Sequence, residues 1–150
     1  MTIDWTKNLR FVVPENSAGY LLWQVTHAWQ RQVEAALAEL DLTHLQFVLL
    51  AGIGWLTQNG DLLTQIQLAQ FCNIDVMQIS QVARKLEVKK LIERSAHPTD
   101  TRAKVLILTP SGKVILTQAL PIIEQLDAKF FEQGDRAVLT AELKKLYCGV

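Results

Sequence analysis

The longest periodic pattern of hydrophobic residues lies near the start of the chain, across residues 15–40. Apolar side chains recur there at spacings of three and four residues, and neither Pro nor Gly follows Gly19. This spacing places them on one face of an α-helix. The apolar positions are Leu22, Val25, Trp29, Val33, Ala36 and Leu40. Such a helix spans roughly 37 Å, which is longer than a domain of this size covers, so we expect part of its apolar face to pack against a second copy of the chain.

Two capping boxes mark the starts of the next two helices. Thr43 with Gln46, and Thr64 with Gln67, have the spacing in which a hydroxyl accepts a first-turn N–H and the Gln side chain reaches back to the cap. Residues 59–63, between the two helices, are predicted to form a turn followed by a very short strand. The apolar face of the helix that begins after Thr43 is predicted to consist of Phe47, Leu49, Leu50, Ile53 and Trp55.

A break at Asn73 separates the second of these helices from a third. Asn adopts the left-handed conformation more readily than most residues, so the chain can turn tightly there. Asp75 is placed to cap the next helix, with Gln78 at its third position. Two helices joined by such a turn form a helix-turn-helix. The apolar face of the third helix is predicted to contain Ile79, Val82, Ala83, Leu86 and the aliphatic stem of Lys90.

The rest of this third helix carries side chains that are able to read DNA bases. They are Val76, Met77, Gln78, Gln81, Arg84 and Lys85. Gln pairs with adenine and Arg with guanine in the major groove, and an apolar Val or Met contacts a thymine methyl. Ser80 and Lys85 are better suited to backbone phosphates. A solvated helix face would have the same composition, and the helix alone leaves both interpretations open.

A charged β-hairpin is predicted directly after the third helix. Its strands are Ile92–Ala96 and Lys104–Leu108, and its loop His97–Ala103 is rich in turn-forming residues. Residues 84–104 hold seven Lys or Arg against three Asp or Glu, a net charge of +4, whereas the other 129 residues carry −4. Such a basic cluster is typical of phosphate-binding surfaces, although a solvated basic face would look the same.

The C-terminal third is predicted to be helical. Thr109 is suited to cap a helix, Pro110 to occupy its first position, and Pro121 is expected to kink it. Its apolar stripe contains Val114, Ile115, Ala119, Ile122, Ile123, Leu126 and Phe130. Gly134 is predicted to end this helix, and residues 136–147 to form a last one.

Composition indicates one folded domain over residues 1–150, since 49% of the residues are hydrophobic and 20% are charged. No apolar stretch reaches about 18 residues, and the first residues lack a basic segment followed by an apolar block. Neither a membrane span nor a secretory signal is therefore predicted, and a cytoplasmic location follows. Cys72 and Cys148 have no CxxC spacing and are expected to be free thiols.

An enzyme is not expected. The seven glycines and three histidines are scattered, with no phosphate-cradling glycine loop, nucleophile elbow or pair of His ligands. We therefore predict neither catalysis nor a bound cofactor or metal.

The order of the motifs resembles that of the MarR (multiple antibiotic resistance regulator) family of winged-helix regulators. The matching motifs are Leu42-Thr43-x-x-Gln46-Phe47, Leu63-Thr64-Gln65 with Leu68-Ala69, Ile74-Asp75, Leu91-Ile92-Glu93-Arg94, Asp100-x-Arg102 and Leu108-Thr109-x-x-Gly112. The resemblance covers nearly the whole chain. It implies a mainly α fold with a small β-wing, in which a winged helix-turn-helix at residues 43–108 is flanked by dimerisation helices at residues 15–40 and 110–147.

The resemblance also implies a homodimeric repressor that binds double-stranded DNA at an inverted-repeat operator. The helix from about Val76 to Lys89 would enter the major groove, and Arg102 at the wing tip, oriented by Asp100, would enter the flanking minor groove. The expected DNA contacts are Val76, Met77, Gln78, Ser80, Gln81, Arg84, Lys85, Arg94, Asp100, Arg102 and Lys104. The alternative is a winged-helix module that uses this surface for protein contacts. The two functions differ in their salt dependence, because only DNA affinity is expected to fall steeply as the salt concentration rises.

The chain departs from the family pattern at two places in the helix-turn-helix. Asn73 stands where a turn glycine is common, and residues 76–78 replace small polar residues that are frequent at the helix start. Both changes are compatible with the fold, and they put the operator sequence in doubt.

Members of the family often bind small aromatic or lipophilic effectors between the dimerisation helices and the winged domain. Candidate residues for such a cleft are Tyr20, Trp23, His27, Phe47 and Trp55. Ordinary core and dimer packing is the alternative for these side chains, and the one we favour. Cys72 has no adjacent cation, which indicates a buried, inert thiol rather than a redox sensor.

Overall fold

A computed structural model describes residues 13–100 and 102–147, together with Asp4 and Lys7. Six α-helices and one two-stranded antiparallel sheet follow one another in this part of the chain. They are α1 (Ala18–Ala38), α2 (His44–Leu56), α3 (Gln65–Cys72), α4 (Val76–Val88), β1 (Ile92–Ala96), β2 (Lys104–Leu108), α5 (Pro110–Phe130) and α6 (Arg136–Tyr147). The predicted mainly helical fold with a small β-wing is confirmed. Cys148 lies outside the described residues.

Both predicted capping boxes are present. Thr43 Oγ1 accepts from Gln46 N at 3.2 Å, and Gln46 Oε1 accepts from Thr43 N at 3.2 Å. At the start of α3, Thr64 Oγ1 accepts from Gln67 N at 3.2 Å and Gln67 Oε1 accepts from Thr64 N at 2.8 Å. These bonds satisfy first-turn N–H groups that have no partner within the helix, which is why the helices begin where the sequence indicates.

Three helices end in a left-handed residue that is not glycine. Asp41, Asn73 and Lys90 have φ values of 52°, 51° and 59°. In each case the following N–H bonds back five residues: Leu42 to Leu37 O (3.2 Å), Ile74 to Ala69 O (3.0 Å) and Leu91 to Leu86 O (3.0 Å). This is the Schellman motif. It confirms the turn predicted at Asn73, and it corrects the role predicted for Lys90, which is an exposed helix-ending residue and not part of the apolar face.

The core lies where α2 packs against α1, α3, α4 and α5. Its largest fully buried side chains are Leu37, Leu49, Leu50, Ile53, Leu68, Ile79, Leu86, Ile92 and Leu106. In α4 the buried positions Ile79, Ala83 and Leu86 follow the predicted face. Trp55 departs from the prediction for α2: its side chain is 63% exposed, because helical spacing identifies a face without showing how far the neighbouring helices cover it.

The sheet has the predicted strands, with Ile92 paired to Leu108 and Ala96 paired to Lys104. The predicted very short strand before α3 is reduced to an isolated bridge between Thr64 and Val105. A further bond from Leu106 N to Leu63 O, 2.8 Å long, fastens the hairpin to the start of α3.

The two long helices are covered only in part. In α1, which the Ser17 side chain caps through Tyr20 N, Val33 and Leu37 are buried. Leu22 and Val25, nearer its start, are 55% and 45% exposed. This leaves the N-terminal half of the predicted apolar face uncovered in a single chain.

Helix α5 runs without interruption through Pro121. Its buried positions are Gly112, Leu116, Ala119 and Ile123, whereas Val114, which was predicted to lie in the stripe, is 58% exposed. Gly112 lies against the main chain at the start of the wing, where a Cβ atom would be 1.9 Å from Leu91 O. The junction between wing and α5 therefore accepts only glycine at this position.

Candidate nucleic-acid interface

The N-terminus of α4 is capped and open to solvent. Asp75 Oδ1 accepts from Met77 N at 2.8 Å and from Gln78 N at 3.3 Å, so the first turn is ordered without burying the side chains that it carries. Val76 and Met77 are 40% and 73% exposed. The start of the helix is therefore presented outward, as DNA reading requires.

The exposed residues of α4 form a stripe opposite its buried face. Met77, Gln81 and Arg84 follow one another at spacings of four and three, all exposed, and lie on one side of the helix. Gln78 and Lys85 flank this stripe on one side, and half-buried Ser80 on the other. The structure thus brings five predicted base-reading side chains onto a single free surface: Met77, Gln78, Gln81, Arg84 and Lys85. Val76 lies outside this stripe.

The wing loop is held by side-chain hydrogen bonds at its base. His97 Nδ1 accepts from the backbone N–H groups of Thr99 and Asp100 at 3.3 Å and 3.2 Å, and Ala103 N bonds to Asp100 O at 3.0 Å. The sequence pattern did not reveal this role for His97.

Asp100 and Arg102 lie together at the wing tip. Asp100 Oδ1 accepts from Arg102 N at 3.0 Å and lies 3.8 Å from Arg102 Nε. The Arg102 side chain is 94% exposed. An exposed ion pair of this length adds little stability, and the guanidinium stays available to a ligand.

Two cations of the basic cluster are bound within the protein. Arg94, which the sequence placed among the DNA contacts, donates from Nε to Gln65 Oε1 at 3.0 Å, and its Nη1 lies 3.5 Å from Glu87 Oε2. Its side chain is only 14% exposed. Arg94 therefore forms an internal contact between the wing and the helix-turn-helix, which leaves little of its side chain free for the predicted DNA contact.

Lys89 is the second bound cation. Its Nζ lies 3.0 Å from Asp41 Oδ2 and 3.2 Å from Gln46 Oε1, and it also contacts Asp41 O. The cations of the cluster that remain exposed are Arg84, Lys85, Lys90, Arg102 and Lys104. The free positive surface is smaller than the sequence indicates, and it is confined to the exposed side of α4 and the wing.

The predicted effector residues do not meet in one chain. Phe47 and Trp55 line a cavity of about 840 Å³ between α2, the end of α3, the end of β2 and α5. Tyr20, Trp23 and His27 do not line it. They lie on α1, where the rings of Trp23 and His27 are 4.1 Å apart and His27 Nδ1 lies 2.8 Å from Trp23 O. The opposite wall is formed by Leu116, Leu120 and Lys113 of α5. The sequence did not reveal this wall, because these residues lie more than fifty positions after Trp55.

Cys72 and His44 have shifted pKa values. Burial raises the pKa of the Cys72 thiol, which lines the cavity wall, in agreement with the inert thiol expected from the sequence. Burial lowers the pKa of the His44 imidazole at the start of α2, and the carboxylates of Glu34 and Asp127 oppose that shift.

Within the described residues, no helix combines the length and apolar content needed to cross a bilayer.

Helix-turn-helix, wing and flanking helices define the class of protein: a winged-helix regulator. The sequence profile of the MarR family matches residues 42–104. The chain is 48% identical over 129 residues, 86% of each chain, to the HTH-type transcriptional regulator YdcH of Bacillus subtilis. It is 31% identical over 111 residues, 74% of this chain and 77% of the relative, to the HTH-type transcriptional repressor Mb2911 of Mycobacterium bovis. The protein belongs to the MarR family of transcriptional regulators.

A solved structure agrees with this assignment. The complex of S. aureus MepR with DNA superposes with a TM-score of 0.81 at 26% identity, over 89% of this chain and 98% of MepR.

Proposed function

We propose that the protein is a homodimeric repressor that binds an inverted-repeat operator. The observation that carries the proposal is the exposed stripe of Met77, Gln81 and Arg84 on α4. This helix lies next to the wing, whose Arg102 side chain is 94% exposed. Two relatives support it: MepR was solved bound to DNA, and Mb2911 is named a repressor. A repressor acts on the chromosome, so the expected location is the cytoplasm.

Each part of the surface has its own recognition chemistry. In the major groove, Gln78 and Gln81 are suited to adenine, Arg84 to guanine, and Met77 to a thymine methyl. The flanking minor groove is narrow and strongly negative at A·T sequences, so it attracts the Arg102 guanidinium most strongly there. Lys85, Ser80 and Lys104 are suited to phosphates, which fix position without reading sequence.

Dimerisation is proposed from the uncovered apolar surface of the helices at the two ends of the chain. The large exposed hydrophobic residues are Tyr20, Leu21, Leu22, Trp23 and Val25 on α1 and Val138, Leu139, Leu143, Leu146 and Tyr147 on α6. So many exposed apolar residues on two helices are typical of an association surface. A two-fold dimer presents two copies of α4, which fits an inverted repeat with half-site centres roughly 34–36 Å apart.

An effector site is proposed in the 840 Å³ cavity. Its walls are mainly apolar, and Lys113 supplies a cation at the start of α5, so a lipophilic molecule with one acidic group has the matching chemistry. A ligand there would push the end of α3 away from α5, and α4 with it, which would relieve repression.

The occupancy of this cavity is measurable through Cys72, which lines it. In a Cys148→Ser background, a ligand that fills the cavity slows alkylation of Cys72, whereas a ligand bound elsewhere leaves the rate unchanged. Trp55→Ala, which opens the cavity wall, is expected to weaken the protection.

The function is tested by selection of binding sites from a random DNA pool. The enriched duplex and a scrambled duplex are then titrated at about 50 and 200 mM salt, between which phosphate contacts reduce affinity by orders of magnitude. An enriched inverted repeat with a steep salt dependence supports the proposal. Absence of enrichment, with no salt-sensitive binding, contradicts it and favours a module for protein contacts.

A further inference from the structure

Lys89, at the C-terminal end of α4, has an acceptor within the protein for every donor of its ammonium group. The group carries three N–H donors, and three acceptors surround it: Asp41 O, Asp41 Oδ2 at 3.0 Å and Gln46 Oε1 at 3.2 Å. The side chain is 28% exposed. Lys90, the next residue, is exposed with a left-handed backbone. Lys89 is therefore a poor candidate for a phosphate contact.

The acceptors of Lys89 belong to the corner where α1 ends and α2 begins. Asp41 is the left-handed residue that terminates α1. Gln46 is buried at 5% exposure, and its Oε1 also accepts from Thr43 N in the capping box. The ammonium therefore joins the end of the reading helix to groups that are themselves fixed by both neighbouring helices.

We infer that Lys89 is a positioning residue that sets the angle of α4 against α1, and through it the half-site spacing that the dimer accepts. The inference rests on the proposed function, because α1 is placed there in the dimer interface. Met77 lies twelve residues from Lys89, about 18 Å along the helix axis. A tilt of about 10° at the Lys89 end moves the reading end by about 3 Å, close to the rise of one base pair. Without the Lys89 hydrogen bonds, the dimer is expected to bind operators with several half-site spacings instead of one.

The test compares Lys89→Met with Lys90→Met. Both variants remove one cation and keep a long unbranched side chain, but only the first removes the hydrogen bonds to the corner. Each protein is titrated against the selected inverted repeat with its spacer shortened or lengthened by one or two base pairs. Wild type and Lys90→Met are expected to bind one spacing at least about tenfold more tightly than the others. For Lys89→Met this difference in affinity is expected to fall below about threefold, while the preferred half-site sequence stays the same. An unchanged spacing preference in Lys89→Met overturns the inference.

A second measurement needs no DNA. Lys89→Met is expected to raise amide hydrogen exchange at Leu42 and Thr43 in the corner by about tenfold, with exchange in α5 unchanged. Asp41→Asn removes the negative charge that faces Lys89 Nζ and is expected to show a smaller increase in exchange. This variant takes the place of Lys89→Met if that protein does not fold. Unchanged exchange in the corner refutes the inference whether or not the protein selects DNA. A wild type that selects no inverted repeat refutes the proposed function instead.

Discussion

Nε of Arg94, on the first strand of the wing, donates a 3.0 Å hydrogen bond to Oε1 of Gln65, the first residue of α3. The wing is thereby fixed to the helix-turn-helix by a side chain that is 14% exposed. We predict that Arg94→Lys lowers the free energy of unfolding by about 1–2 kcal/mol, because an ammonium group does not reproduce the planar fork that reaches both Gln65 and Glu87. Urea denaturation measures the decrease.

The control for this change is Lys104→Met, which removes an exposed cation from the facing strand and should alter stability little. The salt dependence of DNA binding by Arg94→Met, which removes the charge that Arg94→Lys keeps, gives a second readout. It should match wild type, since Arg94 is not expected to contact phosphate. A lower salt slope with intact stability would restore the phosphate role that the sequence suggested.

Gly112→Ala is predicted to be strongly destabilising. The added methyl group would lie 1.9 Å from Leu91 O, and this main-chain carbonyl also accepts from Thr109 N at 3.1 Å, so either the wing or α5 must shift. We expect a decrease of about 2–4 kcal/mol in the free energy of unfolding. Gly134→Ala is the matched control, because a Cβ there meets no atom within 4 Å. Equal stability of the two variants would contradict the close packing at Gly112.

The lowered pKa of His44 predicts a pH dependence of stability. Because burial favours the neutral imidazole in the folded chain, the unfolded chain binds the proton more readily. Stability contributed by His44 is complete above its ordinary pKa of 6.5 and falls as the pH drops towards the lowered value in the folded protein. The unfolding free energies of wild type and His44→Gln are to be measured from about pH 7.5 to pH 5.5. Wild type should lose stability relative to His44→Gln as the pH falls. A pH-independent difference would show that His44 titrates alike in both states.

Arg102 and Gln78 are predicted to contribute in different ways to DNA binding. Arg102→Ala should weaken binding, reduce the preference for A·T flanks and lower the salt slope by about 1 for each phosphate interaction that it removes. Gln78→Ala should relax base preference inside the half-site by about 1–3 kcal/mol and leave the salt slope unchanged. Titration against operators altered in the flank or in the half-site distinguishes the two effects. If both variants bind every duplex as wild type does, the placement of α4 and the wing is wrong.

The features that the sequence predicted correctly are local ones. The capping pairs Thr43 with Gln46 and Thr64 with Gln67 lie three residues apart, and the left-handed turn at Asn73 depends on one residue type, so short patterns reveal them. The strands Ile92–Ala96 and Lys104–Leu108 are joined by a short loop that restricts how they can pair.

The features that it missed depend on distant partners. The hydrogen-bond partners of Lys89 lie 43 and 48 residues away and those of Arg94 up to 29 residues away, so both appeared only as positive charges in a basic segment. The exposure of Trp55 and the cavity beside it depend on how far α5 covers α2, which periodicity within α2 does not encode.

Helix α6 has no buried residue in the single chain, and it is only 12 residues long. Helices of this length are marginal in water without tertiary packing. In the proposed homodimer, the surface that keeps α6 folded is therefore supplied by association, and folding and assembly become one equilibrium. Helix content, measured by far-UV circular dichroism, would then decline on dilution, and the unfolding midpoint would rise with protein concentration. The amount of regulator in the cell would thus influence how much of each chain is folded as well as how many operators are occupied.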